Sequence, residues 1–158
     1  NVFIARSNDP ASVPAYVFDV YEGPLYDIYF ENNTFQSNYG QIFFEGYQPG
    51  GNPVQFVSNT FVKEGAYSGY RDIQTSNNVD HVFLDTKFQN GAGFNTVYQY
   101  GASSYYIKWY LDVTAKDHNG NVVPGAQVSV KDSTNVVVYT ATTDALGKTR
   151  ATLIFLGT

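Results

Sequence analysis

The sequence predicts an all-β chain, and three observations carry that reading. Asn33-Thr34-Phe35 returns as Asn59-Thr60-Phe61 and, altered, as Thr86-Lys87-Phe88, so the phenylalanines recur at steps of 26 and 27 residues. Recurrence at a fixed period marks one supersecondary unit stacked on copies of itself. No window of helical length carries an apolar face at 3.6-residue spacing, whereas alternation and short apolar bursts recur throughout. Fourteen Tyr, twelve Phe and one Trp, set among many Asn, Thr, Ser and Gly, are the stock of strands and their turns.

Taken in order, residues 1–15 open with the apolar run Val2-Phe3-Ile4, read as the tail of an earlier strand. A polar loop, Ser7-Asn8-Asp9-Pro10-Ala11-Ser12, follows it. From Tyr16 the pattern becomes pairs of strands divided by Gly, Pro or Asn corners. The first members are 16–22, 41–47, 70–76 and 95–100; the second are 28–35, 54–61, 81–88 and 105–113. The corners, among them Gly23-Pro24, Pro49-Gly50-Gly51-Asn52-Pro53 and Gly101-Ala102-Ser103-Ser104, are turns by residue chemistry.

A period near 26 with two or three strands per turn is the size of one coil of a parallel β-helix, and about four coils are expected over residues 1–106. Equivalent positions then stack, Phe35 on Phe61 on Phe88 and Phe30 on Phe56 on Phe83. Asn33 over Asn59 would form an amide ladder at a corner, satisfying backbone groups that water cannot reach. Thr86 interrupts that ladder in the third coil.

The chain changes character near residue 106. Only Trp109, Tyr110, Tyr139 and Phe155 of its aromatic residues lie beyond, and the charge moves from 4 − 10 = −6 over residues 1–106 to 5 − 4 = +1 over 107–158. Strands are expected at 107–116, 127–131, 136–142 and 149–155, the first turning through Asp117-His118-Asn119-Gly120. Four strands are only part of an immunoglobulin-like sandwich, so residues 107–158 read as a partial one.

Two stretches carry a resemblance. Trp109-Tyr110-Leu111-Asp112-Val113-Thr114-Ala115-Lys116-Asp117, then Asn119-Gly120-Asn121-Val122-Val123-Pro124-Gly125-Ala126 and Thr143-Asp144-Ala145-Leu146-Gly147-Lys148, resemble the immunoglobulin-like, carboxypeptidase-regulatory-type module of prokaryotic surface proteins. The runs Asn32-Asn33-Thr34-Phe35 and Ser58-Asn59-Thr60-Phe61 resemble coils of the right-handed parallel β-helix family, shared by pectate-lyase-like enzymes and by surface proteins, many of them archaeal. The resemblance implies a large cell-surface protein in which the helix precedes the module.

Composition narrows the function. A net charge of −5 cannot drive broad binding to a nucleic-acid backbone, and zero cysteines remove disulfides, thiolate metal sites and a cysteine nucleophile. Without a methionine, the chain reads as a processed form or a piece of a longer one, with no apolar run long enough to cross a bilayer. The pectate-lyase-like resemblance would require carboxylates for calcium and a basic group, for which Asp72, Asp80 and Asp85 with Arg71 and Lys87 are candidates; their spacing shows no cluster. Asp117, Asn119 and Asn121 alternate as calcium ligands do, but Gly120 stands at the fourth place rather than the sixth and favours a plain turn. His81 and His118 have no paired partner, and His81 reads as a partly buried structural residue. Asn32 opens the sequon Asn32-Asn33-Thr34, a glycosylation candidate at a corner. Tyr16, Tyr21, Tyr26, Tyr29, Tyr39 and Tyr47 form a pool for sugar stacking or for interfaces.

The expectation is therefore a non-enzymatic extracellular structural protein of the cell surface or of a filament, with no cofactor. Its partners would be copies of itself joined through strand edges, by donor-strand complementation among other routes, and cell-surface glycans. The alternatives are a polysaccharide-binding or polysaccharide-degrading protein and a viral fibre or spike segment.

Overall fold

The computed structural model describes residues 1–21, 27–45, 52–75, 80–94, 97–99 and 104–157. The protein is all-β: fifteen strands and no α-helix are found among the described residues. The chain divides into two compact units, Asn1–Lys108 with Ile154–Thr158, and Trp109–Leu153. Residues 106 and 107 lie inside a single strand.

In the first unit the strands are β1 (Val2–Ala5), β2 (Phe18–Tyr21), β3 (Tyr29–Glu31), β4 (Thr34–Ser37), β5 (Gly40–Glu45) and β6 (Val54–Val57). They continue as β7 (Thr60–Lys63), β8 (Arg71–Thr75), β9 (His81–Leu84), β10 (Lys87–Gln89), β11 (Val97–Gln99) and β12 (Tyr105–Thr114). Successive strands go to three sheets in rotation: β1-β4-β7-β10, β2-β5-β8-β11 and β3-β6-β9-β12, the last extended beyond β12 by a fifth strand, β15 (Lys148–Gly157). The described pairings among β1 to β12 are parallel. Phe35 is in register with Phe61 and Phe61 with Phe88; Phe30 is in register with Phe56 and Phe56 with Phe83.

The pattern has three strands per tier where the sequence suggested pairs. Each expected second member except the last bends once and becomes two strands. The bend falls on Asn32, Ser58 and Asp85, with φ of 54°, 52° and 49°. Left-handed backbone is disfavoured for residues with a Cβ, and a short polar side chain such as Asn or Asp tolerates it best. The three bends repeat their hydrogen bonds: Asn32 N–H to Val57, Ser58 N–H to Leu84 and Asp85 N–H to Lys108, at 3.0, 2.8 and 2.9 Å.

The interior is a column of aromatic and aliphatic side chains. Phe35, Ile42, Phe44, Val54, Phe56, Phe61, Ile73 and Phe83 are completely buried, with Phe3, Phe18, Phe30 and Phe88 packed against them. Burying each such side chain is worth roughly 1.5–3 kcal/mol, and each offset or edge-on ring pair adds about 0.5–1.5 kcal/mol. On the outside, Arg6 grips Glu64 with two bonds of 2.6 and 2.7 Å, and Gln36 donates to the same carboxylate. The Arg6 hydrogen bond holds the Glu64 carboxyl below its ordinary range.

The second unit contains the 109–114 part of β12, the antiparallel pair β13 (Gln127–Lys131) and β14 (Val137–Thr142), and the first part of β15 (Lys148–Gly157). Three aspartates organise its turns in the same way. Asp117, Asp132 and Asp144 each accept, on Oδ1, the N–H groups of the residues two and four positions on. The residue three positions on, Gly120, Asn135 or Gly147, has φ of 86°, 70° or 68°. At Gly147 a Cβ would also lie 2.9 Å from the Ala115 carbonyl oxygen, so glycine is fixed there twice over. Thr143 is buried and ties the unit together, accepting the Ala126 N–H and donating to the Val123 carbonyl. Arg150 pairs with Asp112 through two bonds of 2.6 and 2.9 Å and lies over the Tyr110 ring. Among the described residues of this unit only Ala151 is a fully buried apolar side chain.

Phe56→Ala is expected to cost the first unit about 3–5 kcal/mol, because the rings above and below are held by strands and cannot collapse into the void. Urea unfolding measures this, and a loss below about 1 kcal/mol would show that the ring column is not the core.

Candidate functional site: interior corners and an outer aromatic face

The residues expected to stack lie together. Phe35 and Phe61 have centroids 5.1 Å apart, Phe61 and Phe88 5.4 Å, Phe30 and Phe56 5.3 Å, and Phe56 and Phe83 5.0 Å, all within 25° of parallel. Phe3 extends the first column downward, 5.8 Å from Phe35. Phe94, which no period marked, closes it above at 4.5 Å from Phe88 and nearly perpendicular to it.

The corner amides act differently from a side-chain ladder. Buried Asn59 turns both ends of its amide to the backbone of the preceding tier: Oδ1 accepts the Asn33 N–H at 2.9 Å, and Nδ2 donates to the Phe30 carbonyl at 2.7 Å. Thr86 fills the next corner and donates its hydroxyl to the Phe56 carbonyl at 3.2 Å. Asn33 accepts on its side chain from Asn1 Nδ2. A short side chain here serves a peptide group that the bend would otherwise strand, which explains why Thr can follow Asn in the series. Asn32 is exposed.

A second polar cluster, unmarked by any motif, is buried beside β5 and β8. Gln41 Nε2 donates to the Tyr70 hydroxyl at 2.7 Å and to the Val62 carbonyl at 2.8 Å. Tyr70 donates in turn to Asp72 Oδ1 at 2.6 Å, and Asp72 Oδ2 accepts the Gly93 N–H. Burial and the Asp72 charge push the Tyr70 hydroxyl far above its ordinary pKa, so it stays a donor. Gln41 and Asp72 lie in the same strands as core residues Ile42 and Ile73, so only the fold reveals that their polar ends meet.

The carboxylates considered for catalysis are spread out. Asp72 sits in β8, Asp80 and Asp85 flank β9, Lys87 faces solvent on β10, and the Arg71 guanidinium bonds to the Tyr70 carbonyl. Asp80 accepts the Ser104 N–H. Among the described residues no three His, Cys, Asp or Glu side chains converge as metal ligands would. The Asp117 carboxylate is taken up by Asn119 and Asn121, whose hydrogen bonds hold it below its ordinary pKa.

His81 occupies the interior in register with Val54 and Tyr105, stacked 5.4 Å from Phe44 and tilted against Phe56. It is wholly buried, and both ring nitrogens lack a partner. Burial lowers its pKa from 6.5 to about 4, against a smaller opposing pull from the neighbouring Asp80 carboxylate.

On the outside of the β2-β5-β8 sheet, Asp19, Phe43 and Gln74 are in register. With Tyr16 and Tyr39 they line an open cavity of about 580 Å³. Tyr16 meets Tyr39 edge-on at 5.2 Å and Phe43 at 5.1 Å, and its hydroxyl donates to Gln74 Oε1 at 3.3 Å. Tyr67 stacks on Tyr39 at 5.4 Å. Burial, with Tyr39 close by, raises the Tyr16 pKa. Of the tyrosines pooled from the sequence, Tyr16 and Tyr39 come together here, while Tyr29 is exposed on β3 in another sheet. The Tyr21 side chain, Tyr26 and Tyr47 lie outside the described residues.

Compared with known proteins, the chain matches no family model, no curated sequence and no solved structure.

Two outcomes test the interior. Because the folded-state pKa of His81 lies below that of the unfolded chain, its contribution is intact above pH 6.5 and is lost as pH falls towards about 4. The loss reaches about 3 kcal/mol at most. Thermal melts across that window should show it, and His81→Leu should flatten the dependence; an unchanged slope in the variant would place the effect elsewhere. Asn59→Ala is expected to cost about 1–3 kcal/mol by stranding two peptide groups, and Asn59→Thr less, as read by the same melts.

Proposed function

We propose that the chain is an extracellular structural protein of a cell surface or filament. In this reading a short right-handed parallel β-helix precedes a partial immunoglobulin-like module, and copies join through strand edges and aromatic surfaces. The carrying observation is the strict rotation of strands among three parallel sheets, with rings and backbone in register from tier to tier. Such a stack is stiff along one axis and can be extended, because the edge of one tier is the template for the next.

Among the described residues β1, β2 and β3 stand last in their sheets. Asn1 gives its carbonyl to the Thr34 N–H, so by strand alternation Val2 and Ile4 turn their N–H groups to the outer side. The second unit supports the same reading. Val136, Val137 and Val138 are about half exposed on or beside β14, in a two-stranded sheet that a further strand would complete. Partners are then other copies of the chain. Asn32, exposed at a bend, is a position where an attached glycan would point outward.

Sedimentation velocity and electron microscopy of the 158-residue chain test the proposal. Size is expected to grow with concentration, and Ile4→Pro, which removes an outward N–H without touching the β1–β4 bonds, should reduce it. A wild-type chain that stays monomeric at every concentration while melting at high temperature would overturn it.

A further inference from the structure

We propose that the outer face of the β2-β5-β8 sheet is a binding site for a neutral pyranose unit of a polysaccharide, with the Tyr16 ring as the platform and Asp19 and Gln74 as partners for its hydroxyls. The site does not depend on the edge-to-edge assembly above. Its cavity, about 580 Å³, falls within the roughly 300–1,000 Å³ of small-molecule sites.

The platform is built by a missing side chain. Gly40 does not have left-handed backbone, so its conformation does not ask for glycine. Space does, because a Cβ there would lie 2.6 Å from Cε1 and 2.8 Å from Cδ1 of Tyr16. The ring therefore rests directly on the main chain of β5, while its edge is fixed by Tyr39 and its hydroxyl by Gln74. Tyr67, which backs Tyr39, lies close over Gly69 in the turn before β8, where a Cβ would collide with the ring carbons Cζ and Cε1, at 2.5 and 2.9 Å. Tyr16 seated on the β5 main chain, with Tyr39 at its edge and Tyr67 stacked behind Tyr39 on its own turn, forms a fixed aromatic surface outside the packed interior.

The lining also sets the ligand chemistry. A pyranose has apolar C–H faces and a rim of hydroxyls, matching a phenol ring bordered by an acceptor carboxylate and an amide that both donates and accepts. Asp19 is exposed, and the chain carries a net charge of −5, so an acidic sugar or a phosphate would be repelled. This selects neutral hexoses over uronic acids.

The test is isothermal calorimetry of the 158-residue chain with cellohexaose, mannohexaose and a polygalacturonate oligomer, with amide chemical shifts followed by NMR. Saturable binding of at least one neutral hexasaccharide is expected, with shifts centred on residues 16–19, 39–43 and 74. Tyr16→Ala and Asp19→Asn should each weaken it about tenfold, and Gly40→Ala should do the same by displacing the ring. Tyr29→Ala, on another sheet, should leave it unchanged. Asp19→Asn replaces an exposed group, so a lost affinity in that variant cannot be ascribed to unfolding. Absence of binding by both neutral sugars, preference for the acidic oligomer, or affinity indifferent to Tyr16→Ala and Asp19→Asn would each overturn the site. Self-association that falls in Tyr16→Ala without any sugar binding would instead assign this face to a second copy.

Discussion

Registration between tiers is the constraint on which the first unit depends. Each strand finds its hydrogen-bond partner some two dozen residues away, directly above or below, and each core ring finds its neighbour by the same translation. A one-residue slip would send every inward side chain outward, since side chains alternate along a strand. The register is pinned twice over. The left-handed bends at Asn32, Ser58 and Asp85 set where each tier turns, and the corner side chains of Asn59 and Thr86 reach back to the peptide groups of the tier before. Apolar stacking supplies most of the free energy, and the polar corners decide which residues stack.

The second unit solves a different problem with a different device. It has little buried apolar surface among its described residues, and its order comes from three aspartate turns of one design, each closing on a residue with positive φ. An aspartate that bonds the backbone two and four residues ahead fixes a turn locally, without waiting for distant packing.

The stacking residues were legible because a period of 26 or 27 places like on like, and phenylalanine has few uses other than burial. The bends were not legible, because the strand-forming runs Ile28-Tyr29-Phe30 and Thr34-Phe35 read on either side of Asn32 as one continuous strand. Only an unusual dihedral separates them. The outer aromatic face could not be anticipated either: Tyr16, Phe43 and Gln74 come from three different tiers, and Tyr39 owes its place to a loop that the period does not describe. His81 was legible as a structural residue from its alignment with Val54, but its complete burial without any hydrogen-bond partner was not. In the second unit Asn119-Gly120 announced its turn, whereas Asp132 and Asp144 declare the same rule only once their side-chain bonds are seen.

The parallel stack also has a mechanical grain. Tension applied from Asn1 against the top tier would pull across the sheets, opening the hydrogen bonds between neighbouring tiers a few at a time, much as a zip parts. Each tier released would yield about 90 Å of extended chain at roughly 3.5 Å per residue. Tension applied along a single strand would instead have to shear all of its lateral bonds together. The same wall would thus be compliant in one direction and resistant in the other, stretching by measured increments under an axial load before it fails.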